Sequence, residues 1–320
     1  MIDAIHNWTL LEERVNNAQT LQKFLHEQQL PAHFLEAIEN WHMPLAKKLA
    51  AQRSQAGRPL LIGINGSQGS GKSTLAALLT LLLTETYQLK SIALSIDDFY
   101  LTRDSRLALA EKVHPLLATR GVPGTHDIPL MRSTLQSLAY DQGEVQIPRF
   151  DKASDDRYPQ TQWDTVTAPL DVIIVEGWCM GTPAQPEETL KHPINDLETR
   201  EDSETIWRSY VNRQIREQYT AAYEAMDIWV MLQAPSFDCV YRWRLEQEQK
   251  LATKLHQDST DAPQQNKLMS AEQIERFIQH YQRLTEHSLK MLPASVNYLF
   301  ELDQNRHIIA ASEPQPVKLS

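Results

Sequence analysis

Short apolar runs recur along the chain, with helical spacing between most of them. Leu60-Leu61-Ile62-Gly63-Ile64 is the first, just after Arg58-Pro59 marks a boundary. Runs at 91–96, 171–176, 227–232 and 298–302 follow. They are near-continuous rather than strictly alternating, as in strands buried on both faces. Helical periodicity covers 73–83, 130–140, 204–225, 238–252 and 270–291, and 253–269 reads as a loop. Buried strands alternating with helices predict an α/β fold in three layers, a five-stranded, mainly parallel sheet between helices. Ahead of the first strand, residues 1–56 read as a helical extension. Leu10, Leu11, Val15, Leu21, Phe24 and Leu25 recur at helix spacing, then Phe34, Leu35, Ile38 and Trp41 after Pro31 opens a second helix. This extension is expected to pack on the core or on a partner subunit. Residues 57–320 are expected to form one domain.

Composition narrows the class. Hydrophobic residues make up 42% of the chain, enough for a sizeable core. No apolar run approaches the ~18 residues of a bilayer span. The start, Met1 to His6, lacks the basic and apolar regions of a secretory signal. Cys179 and Cys239 are the only cysteines, which argues against a disulfide scaffold or a zinc site and for a reducing cytoplasm. A net charge of −10 excludes general nucleic-acid binding, which needs a basic face. The acid concentrates at Glu187, Glu188, Asp196, Glu198, Glu201, Asp202 and Glu204. This stretch, about 183–206, reads as a solvated surface insertion.

The chemistry starts where the first run ends. Gly66-Ser67-Gln68-Gly69-Ser70-Gly71-Lys72-Ser73 fits G-x-x-x-x-G-K-[ST]. The glycines let backbone N–H groups curl inward around a phosphate, and the following helix adds the partial positive charge of its N-terminus. Lys72 is expected on the β- and γ-phosphates, the Ser73 hydroxyl on Mg²⁺, and Thr74 in the same cradle. Strand followed by this loop and a helix is the context the motif needs, so the fold reads as a P-loop NTPase that takes ATP.

Two strand ends add carboxylates. In open α/β sheets ligands bind beyond the carboxyl ends of the strands. Ser95-Ile96-Asp97-Asp98-Phe99-Tyr100 closes the second run, so Asp97 is the candidate base for an attacking hydroxyl and a candidate metal contact. Asp98 is either a helix cap or a second metal contact. Glu176-Gly177-Trp178 closes the third run, and Glu176 is expected to hold Mg²⁺ or position the nucleophile.

Together these three segments resemble the P-loop branch that includes uridine kinase, phosphoribulokinase and bacterial pantothenate kinase. In that branch the Asp of the D-x-F-Y segment is the catalytic base, which maps onto Asp97. Arg120-Gly-Val-Pro-Gly-Thr-His-Asp127, Ile147-Pro-Arg-Phe-Asp-Lys152 and Asp156-Arg157 look like the plant-type D-glycerate 3-kinase family with its fungal and bacterial relatives. Tyr241-Arg-Trp-Arg-Leu245 and the pattern Val211-Asn212, Tyr219, Asp227 fit the same family. The resemblance covers roughly 58–310. It departs in the longer acidic stretch and in the unmatched first 56 residues.

The resemblance implies transfer of a phosphoryl group from ATP to a small anionic alcohol, D-glycerate giving 3-phosphoglycerate. A carboxylate-bearing acceptor needs cations and donors near Asp97. The segment 100–165 supplies the candidate set Arg120, His126, Asp127, Lys152 and Arg157, with Asp151 either orienting Lys152 or bonding a substrate hydroxyl. Within a lid at about 238–270, Arg242 and Arg244 cannot both face one point. Arg242 is taken as the residue that meets the transferring phosphoryl group, and Arg244 as a salt-bridge partner. The tryptophans and Cys179 read as packing groups. Other acceptors (a nucleoside, pantothenate or a sugar phosphate) remain rivals, as does an ATP-binding regulator that hydrolyses slowly. The molecule is expected to be a monomer or a homodimer.

Overall fold

Strand β1 (Leu60–Gly66) is buried at every position, and it lies at the centre of the sheet because it can shed water on both faces. The computed structural model describes residues 19–246 and 271–314. In chain order its other strands are β2 (Ser91–Ser95), β3 (Gly143–Ile147), β4 (Phe150–Asp151), β5 (Asp156–Arg157), β6 (Asp164–Ala168), β7 (Val172–Gly177), β8 (Ile228–Gln233), β9 (Tyr298–Leu302) and β10 (Ile308–Ser312). The main sheet runs β10-β9-β8-β1-β7-β2. All its pairings are parallel except β9 with β10. The sheet therefore has six strands, one more than the apolar runs predict. β10 escapes the pattern because it is a half-exposed edge strand with an irregular register between Ile308 and Ala310.

Alternate residues of the buried strands feed two main cores. Ile62, Ile64, Val172 and Ile174 face the helix Lys72–Tyr87 through Leu75, Leu78, Leu79 and Leu82. Leu61, Ile173 and Val175 face the opposite way, toward Met131, Leu135 and Leu138 of the helix Ile128–Tyr140. Two helical layers thus enclose the sheet. The described part of the N-terminal extension belongs to the first core. Phe24, Leu25, Ile38, Leu45 and Leu49 are buried there, and Arg53 donates to Asp171 Oδ1 at 2.8 Å just ahead of β7. Residues 1–18 lie outside the described residues. No helix among the described residues is long and apolar enough to cross a membrane.

Between β2 and β7 the chain forms two small antiparallel sheets, β3 with β6 and β4 with β5. Their sequences are mostly polar and largely exposed, so no apolar run announced them. They hold the segment that carries Arg149, Lys152 and Arg157 against the carboxyl edge of the main sheet.

The acidic stretch departs from its expectation. Glu187, Glu188, Asp196, Glu201 and Glu204 are exposed, as predicted, but Glu198 and Asp202 are buried. Glu198 takes two bonds from Arg283, Nε at 2.7 Å and Nη2 at 2.6 Å. Asp202 accepts from Trp207 N at 2.8 Å and from Arg208 Nη1 at 2.8 Å. A buried carboxylate needs a cation and further donors to offset its lost hydration. Arg283 and Arg208 supply them, and pin the stretch to the helices Ala271–Met291 and Ile206–Gln214. Removing one partner strands the other charge. Arg283→Met should lower unfolding stability in urea by about 3–5 kcal/mol, and Glu198→Leu/Arg283→Met should recover part of that loss.

Candidate active site

Register brings the motifs together. Ile64 of β1 and Ser95 of β2 both pair with Glu176 of β7. The phosphate loop, the Asp97 segment and Glu176 therefore leave the sheet at one edge, side by side. Asn65 ties that edge by donating from Nδ2 to Met180 O at 2.6 Å.

The phosphate loop is built by backbone sterics. Gly69 (φ 79°) and Gly71 (φ 92°) are left-handed, and Gly71 caps the helix Lys72–Tyr87. A Cβ on Gly66 would fall 2.5 Å from Ser70 Oγ, so only glycine lets the loop fold back this tightly. Ser67 Oγ, Gln68 Oε1 and Ser70 Oγ are buried without partners. Native structures rarely leave such atoms unsatisfied, and a triphosphate would meet them. Thr74 lies in the first turn of the same helix.

Ser73 Oγ donates to Glu176 Oε1 at 2.6 Å, and Lys72 Nζ lies 3.8 Å from Glu176 Oε2. Glu176 is buried and its Oε2 has no hydrogen-bond partner. A hydroxyl beside a buried, half-unsatisfied carboxylate is a hard-oxygen donor pair that fits Mg²⁺. Among the described residues no group of three or more His, Cys, Asp or Glu side chains could hold a metal ion unaided. The fit is therefore to a cation that arrives with phosphate oxygens of its own.

Asp97 stands apart from that pair. Its Oδ2 accepts from Lys152 Nζ at 2.9 Å and its Oδ1 from the Tyr100 hydroxyl at 2.8 Å. Burial alone would raise the Asp97 carboxyl. Lys152, Lys72 and the Tyr100 hydrogen bond outweigh burial and hold it below the ordinary value of 3.8. Burial, and then the neighbouring Asp97 charge, push the Tyr100 phenol far up, so it remains a donor. Asp97 is thus a fixed, ionised acceptor of hydrogen bonds. Each Asp97 oxygen accepts one of these bonds and keeps a lone pair for a further partner. Asp98 caps no helix: its carboxylate accepts from Arg149 Nη1 at 2.9 Å and from Phe150 N at 3.4 Å, and so holds the β4 hairpin.

The five acceptor candidates divide. Lys152 reaches Asp97, and its side chain is 64% exposed. Arg120 pairs with Asp155 and lies 5.4 Å over the Phe150 ring. Asp127 caps the helix Ile128–Tyr140 through Oδ1 and takes Arg157 Nη2 at 3.3 Å on Oδ2. Arg157 also donates to Tyr100 O at 2.7 Å. Asp127 and Arg157 therefore brace the Tyr100 backbone. His126 is buried and neutral, its pKa lowered to about 4 by burial, so it offers the acceptor no positive charge. Its ring stacks on Tyr100 at 4.5 Å. Other residues also shape this wall: Tyr100 and Tyr219, named above only within motifs, and Tyr281 and fully buried Arg106, which no motif marked; Arg106 donates to the Leu101, Ala118 and Asp155 carbonyls. Tyr100 sits inside the D-x-F-Y segment, a local signal that was available. The others come from distant elements.

The two lid arginines part. Arg242 donates to Gln304 Oε1 at 3.1 Å and to Cys239 Sγ at 3.1 Å, which ties it to the turn between β9 and β10. Arg244 instead lies 5.6 Å over the Phe277 ring, and its charge is felt at Tyr281. Tyr281 donates to Arg120 O at 3.0 Å and also senses Asp97. Helical geometry sends the two arginines to different faces, and Arg244 faces the acceptor side. Residues 247–270, which include most of the expected lid loop, lie outside the described residues. Cys179 is buried and its thiol is pushed up to about 12 by burial, so it is a packing group and no nucleophile.

A phosphate loop on its own defines a nucleotide-binding protein. An ionised aspartate held by Lys152, one strand beyond the Ser73–Glu176 pair, provides for a second reactant, and the class so defined is the P-loop kinase. No family model matches the chain. A kinase of Schizosaccharomyces pombe, itself uncharacterised, is 32% identical over 272 residues, 82% of this chain and 90% of that protein. The chloroplastic D-glycerate 3-kinase of Arabidopsis thaliana is 33% identical over 232 residues, 70% of this chain but only 46% of its own length. The solved D-glycerate 3-kinase of Cryptococcus neoformans superposes with a TM-score of 0.68 at 26% identity, covering 88% of this chain and 99% of that one. The chain belongs to the D-glycerate 3-kinase-like family of P-loop kinases.

The Asp97 environment predicts a pH effect. In the wild type the stabilisation from ionised Asp97 is present above its unfolded value and is lost as pH falls through the depressed folded value. Lys152→Met removes the largest lowering influence while burial remains. The Asp97 carboxyl should then titrate at higher pH, read by carbon-13 NMR, and the acid limb of kcat/KM should move up with it.

Proposed function

We propose that the protein transfers the γ-phosphoryl group of ATP to the 3-hydroxyl of D-glycerate, giving 3-phosphoglycerate. The observation that carries this reading is the Lys152–Asp97 pair beside the phosphate loop: a carboxylate to take the acceptor's hydroxyl, and a cation at the same spot suited to an acceptor with its own carboxylate. The two relatives named D-glycerate 3-kinase support the choice of acceptor.

In this reading the triphosphate lies on Gly66–Ser73, with Lys72 along its β- and γ-phosphates. Ser73 and Glu176 would hold Mg²⁺, which supplies charge neutralisation at the phosphates when bound. Asp97 accepts the hydroxyl proton's hydrogen bond and turns the oxygen lone pair toward the γ-phosphorus. The new O–P bond forms as the bond to the β,γ-bridging oxygen breaks, the hydroxyl proton passes to Asp97 late in the step and from there to solvent, and ADP leaves. A carboxylate with a depressed pKa is a weak base, so orientation rather than early proton removal is the larger part of its role. Arg244 takes the lid position. Its guanidinium neutralises charge spread over the transferring oxygens, a contribution often large in phosphoryl transfer.

Coupled ADP release across glycerate, pantothenate, uridine and ribulose 5-phosphate tests the acceptor. Glycerate should turn over and yield 3-phosphoglycerate. Turnover of another acceptor with glycerate inert would overturn the assignment. In the same assay Arg244→Ala should lower kcat at least tenfold and Arg242→Ala much less.

A further inference from the structure

His126 stands opposite Tyr100 in an isolated antiparallel bridge, so their side chains leave the backbone on the same side. Their rings stack at an interplanar angle of 22°. Tyr100 ends on Asp97, and the Asp97 charge also acts on His126, though burial dominates there. The imidazole thus belongs to the same wall as Tyr100 and Asp97.

Its tautomer follows from the hydrogen bonds around it. The Tyr219 hydroxyl accepts the Gly124 N–H at 2.9 Å and lies 2.7 Å from His126 Nδ1. Burial keeps the Tyr219 phenol protonated, and with the Gly124 N–H already on its oxygen the phenol has a proton to give to Nδ1. In a neutral ring the remaining proton is then on Nε2. Nε2 is buried without a partner. It shares that condition with Ser67 Oγ, Ser70 Oγ and Glu176 Oε2, the atoms of the phosphate and cation sites. The loop offering it is tied down on several sides. Gly121 N donates to Thr125 Oγ1 at 3.1 Å, and Trp178 Nε1 closes on Gly121 O at 3.0 Å. A Cβ on Gly121 (φ 129°) would fall 2.4 Å from the Tyr281 hydroxyl.

We infer that the His126 Nε2–H is an uncharged hydrogen-bond donor to an oxygen of the acceptor, and that Tyr219 is the positioning residue that fixes the donating tautomer. The inference rests on the kinase reading with an anionic, oxygen-rich acceptor. It adds a neutral donor to the cation that Lys152 supplies. A matched donor to a charged oxygen is worth roughly 10- to 100-fold in binding. An acceptor with carbon at that point would leave the donor buried and unsatisfied.

The test compares His126→Phe, which removes the donor, with His126→Gln, which restores an N–H at similar reach. KM for the acceptor should rise roughly 10- to 100-fold in His126→Phe and recover substantially in His126→Gln, while KM for ATP stays near the wild-type value. Nitrogen-15 NMR of the wild-type protein should show Nδ1 bare and Nε2 protonated, and Tyr219→Phe should lose that preference and raise the acceptor KM. An unchanged acceptor KM in His126→Phe, or a wild-type ring protonated on Nδ1, would overturn the proposal. The NMR measurement needs no variant and decides the tautomer even if His126→Phe fails to fold. If the wild type turns over a different acceptor, glycerate falls as the substrate, and the same KM comparison is made with that acceptor.

Discussion

Strand β7 is hydrogen-bonded between β1 and β2, and Glu176 sits in register with Ile64 on one side and Ser95 on the other. That parallel register decides the rest of the site. It sets the phosphate loop, the buried glutamate and the aspartate segment at one edge, within reach of one another, before any side chain chooses a rotamer. It holds because β1 and β7 are buried at every position and β2 packs Ile92 and Leu94 on the core. A slip along β7 would expose these residues to water and separate Ser73 from Glu176.

Around that edge the protein opposes burial with specific partners. Asp97 would be pushed toward its neutral form by its surroundings, and Lys152, Lys72 and Tyr100 reverse the outcome. His126 receives no such cation and stays neutral. Two groups of one wall are thus driven to opposite electrical states, a charged acceptor and an uncharged donor. Behind them, Arg157 on the Tyr100 carbonyl and Arg106 on three carbonyls hold the wall in place. The cations nearest the acceptor in sequence are therefore split between chemistry and support.

What could be read in advance was what the sequence encodes locally. The phosphate loop, the five apolar runs and the carboxylates at their ends each carry their meaning within a few residues. Pairings across long separations were not readable. Glu198 and Arg283 are 85 positions apart, His126 and Tyr219 are 93 apart, and nothing near either one names its partner. Spacing showed that Arg242 and Arg244 must diverge. It could not show which face meets Gln304 and which meets Phe277, because that depends on β9–β10 and on the helix Ala271–Met291. The two-stranded sheets β3–β6 and β4–β5 were hidden for a related reason: short polar strands owe their form to their partners, not to a hydrophobic period.

The account depends most on Asp97 as the group that orients an acceptor in a kinase, rather than a structural carboxylate beside a nucleotide loop. Asp97→Asn keeps the shape and removes the charge. Turnover and ATP affinity measured on the same preparation separate the alternatives. The account predicts a loss of turnover of about 10²- to 10⁴-fold, with ATP affinity changed by no more than a few-fold. Turnover equal to that of the wild type would contradict it.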